Sequence, residues 1–178
     1  MIKDICSGIM VDLETLGTSP GSTILSIGAV RFNQSGIVGD GFHVCVDAKT
    51  CQGYGLTIDP STVFWWLDQS PQARAGVTRD GVNLKSALEA FCDFYYASGG
   101  YIWGCGAGFD VPILEAAIKA VGIPVPWMFW KSMCFRTVRE AYPDVEYERH
   151  GVAHNALDDA RTQALHLIKI ANSEETAK

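Results

Sequence analysis

The sequence predicts an α/β fold in which helices flank a mixed β-sheet, and two features carry that prediction. Up to Val46 the chain consists of β-branched, apolar runs parted by short turns. Beyond Gly55, runs with helical spacing alternate with a further strand. A meander of antiparallel strands followed by strand–helix alternation builds a sheet that contains both kinds of pairing.

Each element has a local cause. Ile5-Cys6-Ser7-Gly8-Ile9-Met10-Val11 is an apolar first strand that runs into Asp12-Leu13-Glu14. Leu16-Gly17-Thr18-Ser19-Pro20-Gly21-Ser22 is dense in turn formers and reverses the chain. Thr23 to Phe32 reads as a long β-branched strand, and Asn33-Gln34-Ser35-Gly36 separates it from a third near Val38 to Val46. Asp59 or Ser61 caps a helix over Thr62 to Gln69, and Asn83 caps another from Leu84 to Ala97. In the second, Leu84, Leu88, Phe91 and Tyr95 recur at helical spacing and mark one apolar face. Tyr101-Ile102-Trp103 is a short strand, and Gly104-Cys105-Gly106-Ala107-Gly108 turns from it into a helix starting near Asp110. Pro112 falls in the first turn of that helix, where proline is tolerated, and Val121-Gly122 ends it. The last helix begins near Asn155 and runs through Ile170.

No repeat or linker divides the 178 residues, so the expectation is one domain over residues 1–178, with a core over about residues 5–172 and a short polar C-terminal tail. With 48% apolar and 19% charged residues the chain is globular in composition, which excludes a disordered segment. The net charge of −6 excludes a broadly basic nucleic-acid wrapper, but it suits an enzyme whose acids hold divalent cations. The six cysteines form no C-x-x-C pair, so they read as free thiols in a reducing cytoplasm rather than as a disulfide ladder or zinc knuckle. Ile5 to Val11 is too short to span a membrane, and it meets acids where a signal peptide needs small residues. Neither a targeting segment nor a membrane partner is expected.

The chemistry-bearing residues are acids. Asp12 and Glu14, one residue apart on a strand, project to the same face. Two close carboxylates at the end of a buried strand repel each other unless a cation neutralises them, and an all-oxygen site favours Mg²⁺ or Mn²⁺. Asp110 closes a strand–turn–helix, where ligands collect on α/β sheets, although alone it also fits a helix N-cap. The glycine run before it is not a dinucleotide loop, because G-x-G-x-x-G needs glycine where Phe109 stands. His154 and Asp159 converge if His154 lies in the loop, Asn155 caps the helix and Asp159 sits one turn inside. Asp158 then occupies a first-turn position that favours an acid for helix stability, which leaves Asp159 for the site. His150 and His154 could form H-x-x-x-H on a helix, but Gly151 and the missing glutamate argue against a zinc site.

Asp12-x-Glu14, Phe109-Asp110 and His154-Asn155-Ala156-Leu157-Asp158-Asp159 resemble, in this order, the three exonuclease motifs of the DnaQ-like DEDDh superfamily. Met10 to Gly17 and Ser26 to Val30 are typical of that superfamily, and the resemblance spans about residues 5 to 170. Ile58 to Gln69 is similar to the compact bacterial and phage 3′→5′ exoribonuclease subgroup of the Rv2179c-like type. The resemblance implies an RNase H-like fold, a mixed five-stranded sheet with antiparallel first three strands flanked by helices. Many relatives carry an asparagine shortly before the motif II acid; Cys105, Gly106 and Gly108 fill that loop here, so its substrate contact is not carried over.

The resemblance also implies two Mg²⁺ or Mn²⁺ ions held by Asp12, Glu14, Asp110 and Asp159, with His154 as general base for the attacking water. The substrate would be a nucleic acid with a free 3′ end, a single strand or overhang, with RNA preferred over DNA. Leu13, Leu16 and Phe109 become candidate contacts of the terminal nucleotide, although a core role suits the leucines equally well. Trp65 and Trp66 point about 100° apart on a helix, so at most one of them, taken as Trp65, faces the cleft to stack on a base, and core packing suits both as well. Trp127, Phe129 and Trp130 read as an intersubunit or loop-packing cluster, compatible with a homodimer. Lys131, Arg136, Arg139 and Arg149 interleave with Glu140, Asp144, Glu146 and Glu148, so most of them are expected to be solvated surface. The competing readings are a non-catalytic nucleic-acid-binding module and a small-molecule phosphodiesterase on the same fold.

Overall fold

The computed structural model describes residues 2–77 and 80–176. Strands β1 (Gly8–Thr15), β2 (Ile24–Asn33), β3 (Gly36–Cys45), β4 (Ile102–Gly104) and β5 (Ser132–Cys134) form a five-stranded sheet in the order β3-β2-β1-β4-β5. The first three strands are antiparallel, whereas β4 pairs parallel to β1 and β5 parallel to β4. The meander followed by crossovers is therefore the one the sequence predicts. Helices α1 (Ala48–Gly53), α2 (Pro60–Leu67), α3 (Pro71–Val77), α4 (Leu84–Tyr96), α5 (Asp110–Ala120), α6 (Phe135–Ala141) and α7 (Ala156–Thr176) complete the described chain.

Alternation along β1 divides the core. Ile9, Val11 and Leu13 face one side with Leu84, Leu88 and Phe91 of α4 and Ile113, Leu114 and Ile118 of α5. Met10 faces the other side with Phe135 of α6 and Ala160, Ala164 and Leu167 of α7. A small third cluster of Leu25, Trp66, Ala73 and Val77 ties α2 and α3 to the sheet. Trp127 packs in the first cluster and donates from Nε1 to Glu115 Oε1 at 2.8 Å, whereas Phe129 and Trp130 are 83% and 58% exposed. The expected tryptophan–phenylalanine cluster is thus split between core and surface.

Several boundaries move. β1 begins at Gly8 rather than Ile5 and continues through both acids to Thr15. Helix α2 starts at Pro60 because the Asp59 carboxylate, not Ser61, accepts the Ser61 amide. Helices α1, α3 and α6 and strand β5, not expected from periodicity, span only six, seven, seven and three residues. One or two turns, or three strand residues, are too few for a period to appear. Helix α7 runs past Ile170 to Thr176, and residues 177–178 of the expected tail lie outside the described residues.

Two glycines set the distance between sheet and helices. Gly28 on β2 lies opposite Asp12 on β1, and a Cβ built on it would lie 2.1 Å from the Ala156 carbonyl carbon and 2.2 Å from the Leu157 nitrogen. The first turn of α7 therefore rests directly on bare strand backbone beside Asp12. Gly104, the last residue of β4, gives Asp110 the same kind of room: a Cβ there would lie 2.8 Å from the Asp110 Cβ. Gly28→Ala should push α7 off the sheet and lower Tm by on the order of 5–10 °C, from an overpacking cost of about 1–3 kcal/mol or more. Gly53→Ala, where nothing lies within 4 Å, should leave Tm unchanged or slightly raised. Scanning calorimetry checks both; equal melting of the Gly28 variant and the parent would contradict the close approach.

Candidate active site

The end of β1 carries Asp12 and Glu14 on the α7 side of the sheet, the side into which Met10 points. β4 pairs with β1 only as far as Met10, so the Leu13 amide beyond it has no strand partner. Asp110 supplies one: its Oδ1 accepts from Leu13 N at 3.0 Å and its Oδ2 from Cys105 N at 2.6 Å. The residue is fully buried and opens α5, but its oxygens serve β1 and the preceding loop rather than acting as an ordinary cap. Its position is fixed by completing the hydrogen bonding of a strand that outruns its neighbour.

Helix α7 delivers the remaining residues. Asn155 Oδ1 accepts the Asp158 amide at 3.2 Å, the expected cap, and Asp158 Oδ2 accepts the Val152 amide at 2.9 Å. Asp158 thus closes the loop onto the helix, whereas Asp159 turns toward Glu14. Asp159 Oδ2 accepts the His154 amide at 2.9 Å, and its Oδ1 accepts from Arg149 Nη1. His154 adopts a left-handed backbone, φ 60°, and its ring meets Trp65 edge-on with centroids 4.9 Å apart. One ligand atom each of Glu14, His154 and Asp159 lies within 4.8 Å of the others. One turn along α7, Gln163 Nε2 donates to Asp12 Oδ1 at 2.7 Å, while the buried Gln163 Oε1 has no protein partner.

These groups open into a cleft of about 760 Å³. It brings together Asp12, Glu14, Asp110, His154 and Asp159 with Leu13, Trp65 and Phe109. Leu16 is the exception: its side chain packs beside Leu25 and Trp66, and its amide bonds Thr23, so it faces the third cluster instead of the cleft. Trp66 is buried and donates from Nε1 to the Thr15 carbonyl at 2.9 Å, while Trp65 remains 43% exposed. Arg136 and Arg149 are exposed, as expected of surface residues, but with Arg139 they line the cleft, whereas Lys131 stays outside it, over the Tyr101 ring at 4.5 Å. Acidic neighbours in sequence hid this, because α6, which presents Arg136 and Arg139, is too short to read and Arg149 lies on an irregular loop. Gln163 was also missed, although four residues after Asp159 on one helix is a legible same-face position.

The profile described as the 3′-5′ exoribonuclease Rv2179c-like domain matches residues 7–171. The chain belongs to this family. An exodeoxyribonuclease of Enterobacteria phage T4 is 25% identical over 160 residues, covering 74% of this chain and 70% of that relative. The product-bound structure of exonuclease I is similar with a TM-score of 0.63 at 15% identity, over 96% of this chain and 46% of its own. Exonuclease X, in complex with 5′ overhanging duplex DNA, gives 0.58 at 19% identity over 94% and 92%. This chain therefore spans less than half the length of exonuclease I, and the likeness carries the fold, the RNase H-like exonuclease sheet.

In this family member the site is electrostatically incomplete. Burial, then the charges of Asp110, Glu14 and Asp159, hold the Asp12 carboxyl well above its usual range, against the pull of Gln163. Burial, then Asp159 and Asp110, pushes Glu14 up to about 8, with Arg149 opposing. Burial raises Asp110 to about 6 even though the Cys105 and Leu13 amides favour its charged form. Among the described residues, one cation, Arg149, pairs with a carboxylate of this set. Four acids, a partnerless amide oxygen and one guanidinium fit divalent cations with a preference for oxygen. Asp12, Glu14, Asp110 and Asp159 are the residues that would hold them.

The raised values have a definite sign. In the fold, Glu14 and Asp110 keep protons that the unfolded chain releases at ordinary carboxyl values, so their contribution to stability is full at low pH and is lost as pH climbs to about 8. With metal chelated, Tm should fall between about pH 5 and pH 8, and Glu14→Gln should flatten the slope. Parallel Tm–pH curves for the parent and this variant would contradict the assignment of Glu14 to the repulsive cluster.

Proposed function

We propose that this protein is a metal-dependent 3′→5′ exonuclease acting on the free 3′ end of a single strand or overhang, with RNA preferred over DNA. The observation that carries the proposal is the convergence of Asp12, Glu14, Asp110 and Asp159 at one end of β1, in a cleft, within an exoribonuclease domain family. The family description favours RNA. The phage T4 relative is named an exodeoxyribonuclease and exonuclease X is complexed with DNA, so matched RNA and DNA strands form the deciding panel. Six free thiols suit a reducing cytoplasm.

The four carboxylates would hold two Mg²⁺ or Mn²⁺ ions, which when bound activate water and stabilise the leaving oxygen. The chain supplies the rest. Asp12, oriented by the hydrogen bond from Gln163, would be one of the ligands. His154 would accept the proton of the attacking water; its backbone amide on Asp159 and its ring against Trp65 limit where the imidazole can point. Leu13 and Phe109 would floor the terminal nucleoside. Trp65, the indole not committed to Thr15, would stack on a base.

A 5′-labelled oligonucleotide incubated with Mn²⁺ should give a ladder of single-nucleotide steps, and Asp12→Asn or Asp110→Asn should abolish it without loss of fold. Hydrolysis of a chromogenic phosphodiester alone would favour a small-molecule phosphodiesterase, and binding without any hydrolysis would favour a non-catalytic module. Mn²⁺ should raise Tm, and Asp159→Asn should weaken that shift far more than Asp158→Asn, whose carboxylate is spent on the Val152 amide.

His154→Ala should lower turnover by roughly 10²–10⁴-fold, the range for a positioned base, while the Mn²⁺ shift in Tm persists. Because His154 stands within ligand distance of Glu14 and Asp159, loss of that shift would make the imidazole a ligand instead.

A further inference from the structure

Three arginines border the cleft, and they are not equivalent. Arg136 donates to the Cys105 carbonyl at 3.2 Å, and Arg139 donates to Glu140 at 2.7 Å, so both are held by groups outside the acid cluster. Arg149 donates to Asp159, a member of that cluster. Asp159 then has no uncommitted oxygen, because its other oxygen accepts the His154 amide. A divalent cation directed to Asp159 meets a guanidinium already on the carboxylate, and the two positive groups compete for the same oxygen.

The Arg149 side chain is 40% exposed, against 9% for that of Asp159, so the arginine is the partner with solvent to turn into. It extends from the segment that also brings Tyr147 to the cleft. A guanidinium leaving a carboxylate keeps its planar fork of donors, and the group that fork matches equally well is a phosphate. An incoming strand brings one phosphate per nucleotide into this cleft.

We propose that Arg149 is a displaceable counter-ion: it neutralises Asp159 in the metal-free protein and turns onto a phosphate of the strand once a cation takes that carboxylate. The inference rests on the nuclease reading above and adds to it a residue that couples the two ligands. Cation binding frees the arm that grips the strand, and strand binding removes the arm that blocks the cation. By linkage each ligand strengthens the other by the same factor.

Calorimetric titration of Mn²⁺, without nucleic acid, tests the first half. Arg149→Met should bind Mn²⁺ more tightly than the parent by on the order of tenfold, within the usual span of such couplings. In an Asp159→Asn background the same change should bring no gain, since the contested negative charge is gone. Arg149→Gln, which keeps a polar arm without charge, should follow Arg149→Met, and melting curves establish that each variant is folded. The second half is read by anisotropy with a labelled single strand ending in a 3′ phosphorothioate, in Ca²⁺. Arg149→Met should bind it about tenfold more weakly, with a log K against log salt slope shallower by about 0.7, one phosphate contact on a single strand.

The outcomes separate the two proposals. A parent protein that binds no Mn²⁺ overturns the metal centre and the nuclease reading with it. A parent that binds Mn²⁺ no less tightly than Arg149→Met overturns the counter-ion role alone. Tighter Mn²⁺ binding with an unchanged strand affinity and salt slope overturns the transfer to phosphate.

Discussion

Everything at the site depends on how near a helix can come to a strand. A side chain at position 28 would hold the first turn of α7 away from β2, and the helix carries Asp159 and Gln163 while the neighbouring strand carries Asp12. Removing one Cβ converts ordinary helix-on-sheet spacing into backbone contact, and at that spacing a carboxylate on one element answers an amide on the other at 2.7 Å. Gly104 repeats the device at the end of β4 for Asp110. Two absent side chains thus set the spacing of the carboxylates.

The site is expensive for the fold that holds it. Three carboxyls are raised by burial, Asp12 and Glu14 also by neighbouring acids, so in the metal-free state they oppose folding rather than support it. The opposing weight comes from the two apolar clusters on either side of β1, which meet at that strand and hold its end in place. Backbone amides also share the load: Leu13 and Cys105 serve Asp110, and His154 serves Asp159. Such a division, with stability from the core and strain at the functional end, is the usual relation between the two.

The sequence made some of this legible and hid the rest for identifiable reasons. Long strands were readable from their β-branched runs, α4 and α7 from several periods and a capping asparagine, Asn83 or Asn155, and α5 from Pro112 in its first turn and Gly122 at its end. The acids were readable because short intervals report geometry: Asp12 and Glu14 by strand alternation, His154 and Asp159 by a cap between them. Arg149 was not, since its partner is ten residues away across an irregular loop that no period describes. Leu16 was misplaced because an apolar residue just past a strand fits a cleft floor and a core equally well until the turn is known. Gly28 was visible as a residue typical of the superfamily, but its reason, a helix lying on it, belongs to tertiary structure.

The loop that carries His154 is stitched to the helix that follows it. Thr162 Oγ1 accepts the His150 amide at 3.1 Å, Asp158 takes the Val152 amide and Asp159 the His154 amide. Such a loop has no slack, so the interval between the imidazole and its acid is a fixed length, and insertions would be absorbed only upstream of His150. The same stitching accounts for a conformation that glycine would adopt more comfortably, the left-handed backbone of His154. The backbone there favours one residue and the proposed chemistry another. The three bonds that hold the loop are what let a histidine stay in that position.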